Sequence, residues 1–295
     1  MSPSGAYFAS HLRHELCVRN RAYASAHNLA HVESYGSMPV IVYHPDDDGR
    51  HGNFLDETYT AIMGNPEWRR RLDKIHVQGR TSLPENDRRW KELDSCTSSD
   101  ALLMNVFCLP GVIADLRVLS LLAVDQGAEA QFGFKARVPL QSGLFDRTEV
   151  DLRLGDLLIE AKLTESDFQA KDAEVVRGYR DFEEVFDARA LPLAAGKFLS
   201  YQLIRNVLAA HDNACSFCVL LDQRRPDLLE QWYAVMCCVR IAGLRLRCKV
   251  LTWQELSEAL PPRLQEFLDC KYGIAPPGSP AAPICDESDA RSFGL

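Results

Sequence analysis

The sequence predicts an α/β fold with a mixed central sheet flanked by helices, together with a mainly helical N-terminal extension. Two observations predict this class: the order of the periodic segments and a two-residue hairpin signal. From about Ser98 onward the pattern is a helix, three strands, a helix, a strand, a helix and a strand. A strand hairpin followed by strand–helix–strand crossovers is typical of a sheet that mixes antiparallel and parallel pairs.

Three segments are expected along the chain. The N-terminal extension covers residues 1–97, the α/β core covers residues 98–272, and a disordered tail covers residues 273–295. The tail is expected because proline, glycine, alanine and serine dominate residues 275–283 and offer little apolar surface to bury. Within the extension we expect helices over residues 7–30 and 53–75, with Pro66 starting a new helix, and a short strand over residues 39–43.

The elements of the core follow from hydrophobic periodicity and from helix start signals. The expected strands cover residues 131–140, 148–154, 157–163, 215–221 and 247–251. The expected helices are a long apolar helix capped by Ser99 or Asp100, a polar helical stretch over residues 166–186, an amphipathic helix over 196–211, a helix over 226–240 and a short helix from Gln254.

Composition excludes several classes of protein. The net charge of −8 argues against a DNA binder coated in positive potential, although a local basic groove is compatible with it. The most apolar stretch, residues 101–124, is interrupted by polar and charged side chains, so neither a membrane span nor an export signal is expected. Several of the ten cysteines stand among apolar residues, as buried reduced thiols do. We therefore expect a cytoplasmic protein.

Residues 148–163 carry the chemical signal, because Gly155-Asp156 joins two alternating runs as a two-residue hairpin turn does. In that register Leu154 is opposite Leu157. Asp151 then lies directly across from Glu160, and Glu149 lies across from Lys162. One face is apolar and is expected to be core. The other face is charged, and its members are Glu149, Asp151, Arg153, Glu160 and Lys162.

Aspartate directly across from glutamate is a repulsive pair, and a divalent cation between the two removes the repulsion. Mg²⁺ or Mn²⁺ is expected there, with Asp151 and Glu160 as ligands, because hard cations take carboxylate oxygens. Such an ion can polarise a phosphodiester and activate a water, while the Lys162 ammonium offsets developing negative charge. A surface hairpin with salt bridges is the alternative interpretation of the same residues.

The segment resembles the PD-(D/E)xK nuclease superfamily, with Asp151 as the motif aspartate and Glu160-Ala161-Lys162 as the E-x-K element. More specifically, it is similar to a bacterial branch of restriction-endonuclease-like proteins. The resemblance implies a restriction-endonuclease-like core and catalytic roles for Asp151, Glu160 and Lys162, with Glu149 beside them. Superfamily members often place a glutamine or tyrosine on the helix after this strand, which implies a role for Gln202. The alternative for Gln202 is a polar residue on a solvated helix face.

The function expected from these residues is that of a metal-dependent endonuclease that hydrolyses phosphodiester bonds in DNA. One alternative is a PD-(D/E)xK fold that binds nucleic acid, or serves as a scaffold, without turnover. The other is a nuclease that acts on RNA. Nucleic acid is the expected partner, a membrane is not, and a homodimer is compatible with the sequence. Specificity depends on groove shape and base contacts, which no motif here records.

Overall fold

The computed structural model of this chain describes residues 3–34, 39–75 and 91–279. The chain divides into two compact units. We call Met1–Ala9 with Leu122–Trp253 the sheet unit, and Ser10–Leu121 with Gln254–Leu295 the helical unit. The expected boundaries after residues 97 and 272 stay predictions. Most of the expected tail, residues 280–295, lies outside the described residues.

The secondary-structure elements are numbered in chain order. The helices are α1 (Pro3–Ala26), α2 (Asp56–Gly64), α3 (Pro66–Arg71), α4 (Ser99–Phe107), α5 (Leu116–Leu122), α6 (Ala173–Arg177), α7 (Phe182–Val185), α8 (Tyr201–Asp212), α9 (Pro226–Met236), α10 (Ala242–Leu246), α11 (Trp253–Glu258) and α12 (Pro262–Tyr272). The strands are β1 (His31–Glu33), β2 (Ile41–Tyr43), β3 (Ala130–Lys135), β4 (Val138–Pro139), β5 (Phe145–Asp146), β6 (Glu149–Leu154), β7 (Leu157–Ala161), β8 (Lys171–Asp172), β9 (Leu193–Ala194), β10 (Lys197–Phe198), β11 (Ser216–Leu221) and β12 (Cys248–Thr252). Across residues 3–34, 39–75 and 91–279, no helix is both long enough and apolar enough to cross a bilayer.

The sheet unit is built on a five-stranded sheet with the strand order β12-β11-β7-β6-β3. Strands β3, β6 and β7 pair antiparallel, whereas β7, β11 and β12 pair parallel. Parallel neighbours need a crossover. The chain crosses from β7 to β11 through a segment that ends in α8, and from β11 to β12 through α9 and α10. The predicted mixed sheet with flanking helices is confirmed.

The hairpin between β6 and β7 has the predicted register. Leu154 pairs with Leu157, Arg153 with Leu158, and Leu152 with Ile159. Gly155 has a φ of +59°, the left-handed conformation that the first position of a type II′ turn requires. The turn therefore forms at Gly155-Asp156, and the register that it sets brings the two ends of the acidic motif to neighbouring strands.

The expectation of one apolar and one charged face holds for β6 but not for β7. Along β6, buried residues alternate with more exposed ones, whereas all five residues of β7 are buried. Helix α8 covers the second face of β7, where Leu203 and Val207 share a core with Phe217 of β11. The prediction was wrong because β7 is a central strand with a parallel neighbour, and such strands are covered on both faces.

The apolar run over residues 101–124 forms two helices instead of one. Helix α4 ends at Phe107, and a loop with Pro110 and a left-handed Gly111 (φ +92°) separates it from α5. Its cap is also one residue earlier than predicted, since the Ser98 hydroxyl accepts a hydrogen bond from the Ala101 amide at 3.1 Å. Proline and a glycine with positive φ stop a helix irrespective of the apolar side chains around them.

Four further elements differ from the sequence prediction. The strand expected over residues 131–140 ends at Lys135, and Arg137 with a φ of +55° separates β3 from β4. The amphipathic helix expected from residue 196 begins only at Tyr201, because Lys197–Phe198 forms a strand paired with β8 and β9. The expected helical stretch over 166–186 contains only α6 and α7, and α12 was not predicted.

The helical unit contains a fully buried lysine, Lys271, at the end of α12. Its ammonium donates to the carbonyl oxygen of Gly52 at 2.9 Å and lies 3.7 Å from the centre of the Tyr43 ring. Burial holds the pKa of Lys271 well below its ordinary value. The aromatic ring and the carbonyl replace part of the hydration that the buried amine has lost.

We predict that Gly155→Ala lowers the free energy of unfolding by about 1 kcal/mol, because an alanine is strained at positive φ. The added methyl group would also lie 3.2 Å from Cβ of Ala128. Gly243→Ala is the matched control, since Gly243 lies in α10 with open space around it. That substitution should stabilise by up to about 1 kcal/mol. Urea unfolding measures both, and equal effects would contradict the turn assignment.

Candidate active site

The predicted aspartate and glutamate lie where β6 and β7 separate. The last hairpin pair is Leu152 with Ile159, so Asp151 and Glu160 are the first positions beyond it. At this point a hydrogen bond to the side chain of Asp151 replaces the backbone pairing between the two strands. Its Oδ2 atom accepts a hydrogen bond from the amide of Ala161 at 2.8 Å. Asp151 remains partly exposed and is fixed to the end of the neighbouring strand.

Glu160 is buried, with only 2% of its surface exposed, and both of its oxygens are engaged. Oε1 accepts from the Lys162 ammonium at 2.8 Å, and Oε2 accepts from the Asn206 amide at 2.8 Å. A buried carboxylate is tolerable only when donors replace its water. The glutamate is therefore held from two sides, by the lysine of its own segment and by helix α8.

Lys162 is also buried, and its charge is maintained by the acids around it. Burial alone would lower the pKa of Lys162, but the carboxylates of Glu160, Glu165 and Asp151 together raise it above its ordinary value. The ammonium also lies 5.5 Å from the centre of the Phe168 ring. The raised pKa keeps the Lys162 amine protonated, so that it can offset negative charge nearby.

Backbone contacts keep Lys162 in line with the sheet after β7 has ended. Its amide donates to the carbonyl of Leu220 in β11 at 2.8 Å. Its carbonyl accepts from the indole of Trp253 at 3.0 Å. The backbone of Lys162 is thus fixed by the parallel pairing of β7 with β11. The sequence predicted a mixed sheet, but not that these two strands are neighbours in it.

Glu149 does not face Lys162 as the hairpin register predicted. Glu149 is exposed at the start of β6, where it pairs with Lys135 of β3, and Lys162 binds Glu160 instead. Strands β6 and β7 do not pair beyond Leu152 and Ile159, so Glu149 is not opposite Lys162. Buried Arg205 holds the same end of β6 by donating to the carbonyls of Thr148 at 2.7 Å and Glu149 at 2.8 Å.

Helix α8 brings two amide side chains to one side of the helix, Gln202 and, one turn later, Asn206. Asn206 contacts Glu160 directly. Oε1 of Gln202 and Oδ1 of Asn206 are both buried and have no hydrogen-bond partner in the structure. Buried unpartnered acceptors are uncommon in proteins and require an explanation, such as a bound water or ion. A catalytic role for Gln202 stays a prediction.

Sequence reasoning did not assign roles to Asn206 and Glu165. The signal for Asn206 was its spacing of four residues from Gln202, which places both on one helix face. Glu165 lies in the loop after β7, where its Oε2 accepts from the amide of Leu163 at 2.6 Å. It raises the pKa of Lys162, and the only sequence signal for it was its place shortly after the E-x-K element.

The residues present fit a hard divalent cation that is shared with water and substrate. Within the described ranges, no group of three or more histidine, cysteine, aspartate or glutamate side chains is arranged to hold a metal ion. Mg²⁺ commonly uses only one or two carboxylates and completes its octahedron with waters and phosphate oxygens. Asp151 and Glu160 would provide the carboxylates for such an ion, and the unpartnered oxygens of Gln202 and Asn206 would accept hydrogen bonds from its waters.

A mixed five-stranded sheet flanked by helices is consistent with the restriction-endonuclease-like class of α/β proteins. The comparison with protein families agrees. Residues 19–273 match the family described as "Restriction Endonuclease associating with ARP", and the chain belongs to that family. Membership indicates a nuclease-like function that involves nucleic acid. Neither the curated proteins nor the solved structures gave a match.

We predict that Lys162→Met lowers the free energy of unfolding by about 3 kcal/mol, because it leaves Glu160 as a buried charge without its cation. The double variant Glu160→Gln/Lys162→Met should regain most of this loss, since a glutamine oxygen can still accept from Asn206. Urea unfolding of the wild type and these variants tests the expectation. A Lys162→Met protein as stable as the wild type would show that the pair is not buried in solution.

Proposed function

We propose that the protein is a metal-dependent endonuclease of the PD-(D/E)xK superfamily that hydrolyses phosphodiester bonds in DNA. One observation carries the proposal: the carboxylates of Asp151 and Glu160 lie where β6 and β7 separate, with the Lys162 ammonium bonded to Glu160. Family membership supports it independently. Restriction endonucleases cut DNA, so that membership favours DNA as the substrate.

Asp151 and Glu160 would hold Mg²⁺ or Mn²⁺, with Asp151 the more accessible of the two. When bound, such an ion supplies Lewis-acid polarisation of the phosphodiester and lowers the pKa of a bound water. The protein contributes the remaining groups. The Lys162 ammonium would stabilise the extra negative charge on phosphate as the bond to the leaving oxygen breaks.

Asn206 and Arg205 act in this proposal as positioning residues. Asn206 fixes one oxygen of Glu160, which leaves the other oxygen to Lys162. Arg205 fixes the start of β6 through two carbonyls, close to Asp151 in the chain. Catalytic groups must be held within fractions of an ångström, and two donors from one helix hold the two strands that carry the acids.

A second candidate is nucleic-acid binding without turnover, and the burial of Glu160 favours it. Both oxygens of Glu160 already accept hydrogen bonds, and 2% of the residue is exposed. A carboxylate nevertheless has about four lone-pair sites, so a metal ion does not require either donor to leave. RNA is the remaining alternative substrate. Cleavage assays distinguish DNA cleavage, RNA cleavage and binding without turnover.

We predict that Asp151→Asn reduces cleavage at least about 100-fold, because the amide keeps the shape of the side chain but loses the charge that binds the ion. The fold should persist, since the asparagine oxygen can still accept from the Ala161 amide. Asp156→Asn is the matched control, as Asp156 is an exposed aspartate in the turn of the same hairpin. Plasmid, linear and single-stranded DNA and RNA should each be tested with Mg²⁺, Mn²⁺ and EDTA.

Each result of that assay has a separate meaning. Cleavage of DNA that EDTA stops and Asp151→Asn removes supports the proposal. Cleavage of RNA alone replaces the substrate, and binding without cleavage under all conditions favours the second candidate. Full activity of Asp151→Asn would overturn the assignment of the site.

We predict that Mn²⁺ binds the wild type and Asp156→Asn with the same affinity and binds Asp151→Asn at least about tenfold more weakly. Isothermal titration calorimetry measures this without a nucleic acid and without turnover. Equal affinities in all three proteins would place the metal site elsewhere. Melting temperatures recorded in parallel separate lost binding from lost structure.

A further inference from the structure

Two cysteines of the helical unit lie against each other although they are distant in the chain. Cys17 lies in α1, and Cys96 lies in the segment that leads to α4. They belong to one buried cluster with Ile41 and Tyr43 of β2. The Cys96 amide donates to the carbonyl of Ile41 at 2.9 Å, which fixes its backbone beside that strand.

The Cys17 and Cys96 thiols interact with each other inside this cluster. Two arginines flank Cys17, since Arg13 and Arg21 lie one helical turn before and after it on α1. Arg21 is paired with Glu33, whereas Nε of Arg13 is buried and has no hydrogen-bond partner. The surroundings of Cys17 therefore favour its thiolate.

The two sulfurs differ in pKa and in access. The contact with Cys96, together with the charges of Arg13 and Arg21, lowers the pKa of Cys17 to about 7. The contact with Cys17, together with burial, raises the pKa of Cys96 well above its ordinary value. Cys17 is 8% exposed and Cys96 is fully buried. A small oxidant reaches Cys17 first.

Cys108 shows what burial alone does in the same unit. It is also buried, and burial raises its pKa, with no charged group contributing. A protonated buried thiol is a poor nucleophile. Cys17 differs from it by its flanking arginines and by the second thiol behind it.

We propose that Cys17 and Cys96 form a reversible redox site, in which a peroxide oxidises Cys17 and Cys96 then closes a disulfide between α1 and the segment before α4. The site needs no part of the proposed nuclease chemistry. A reactive cysteine beside a second cysteine is the arrangement of thiol-based redox sensors.

The reaction balances with one molecule of hydrogen peroxide. The Cys17 thiolate attacks one oxygen, the O–O bond breaks, hydroxide leaves, and Cys17 becomes a sulfenic acid. The Cys96 sulfur then attacks the Cys17 sulfur. The S–S bond forms, the S–O bond breaks, and water leaves with the Cys96 proton. Both sulfurs are oxidised and the peroxide is reduced, while a dithiol reductant reverses the bond.

The test treats the full-length native protein with hydrogen peroxide and maps its peptides by mass spectrometry without reduction. We expect a peptide in which Cys17 is joined to Cys96, which disappears with dithiothreitol. Before oxidation, iodoacetamide should modify Cys17 at least about tenfold faster than Cys108. The melting temperature should rise on oxidation, because the bond closes a long loop of the unfolded chain.

Variants separate this pair from other cysteines. Cys17→Ser should abolish the link and leave Cys96 reduced, whereas Cys270→Ser, which changes an exposed cysteine, should leave the link intact. Cys17 as sulfinic acid with Cys96 still reduced, or links that join either one to other cysteines, would overturn the proposal. If Cys96→Ser does not fold, the peptide map of the wild type still decides the question.

Discussion

The buried ion pair between Glu160 and Lys162 is the interaction on which the arrangement of the sheet unit depends. Removing a carboxylate and an ammonium from water costs several kcal/mol for each ion, and their attraction offsets this only with good geometry and further hydrogen bonds. Helix α8 supplies such a bond through Asn206, and the packing of α8 against β7 and β11 makes the site dry. The lysine amide is held by β11, so the pair and the parallel half of the sheet require each other.

The sheet around this pair was predictable, because its signals are local in the chain. A glycine in a two-residue turn fixes the register of β6 against β7, and alternating side chains identify the strands. The covering of β7 by α8 was not predictable in the same way. The start of α8 depends on the pairing of β10 with its neighbour β9 and with β8, which lies well before it in the chain. Gln202 was the sequence candidate on this helix, while the contact to Glu160 comes from Asn206 one turn later.

The helical unit illustrates the same limit. A lysine in the last turn of a helix has the pattern of a solvated position, yet Lys271 in α12 is fully buried. Its partners, Gly52 and Tyr43, are more than two hundred residues away in the chain. Cys17 and Cys96 are brought together in this way as well. Long-range burial of polar groups follows from tertiary packing, which periodicity does not encode.

Selection for stability alone would favour apolar side chains at the end of β7. Apolar side chains of similar volume often equal or exceed the stability of a buried ion pair. The pair here is also placed beside a second carboxylate, Asp151, which adds no attraction to Glu160 and is fixed by a backbone amide. Two carboxylates and a lysine ammonium in a dry environment interact more strongly with a charged substrate than they would in water. The arrangement concentrates charge at one point, as the proposed hydrolysis of a phosphodiester would require.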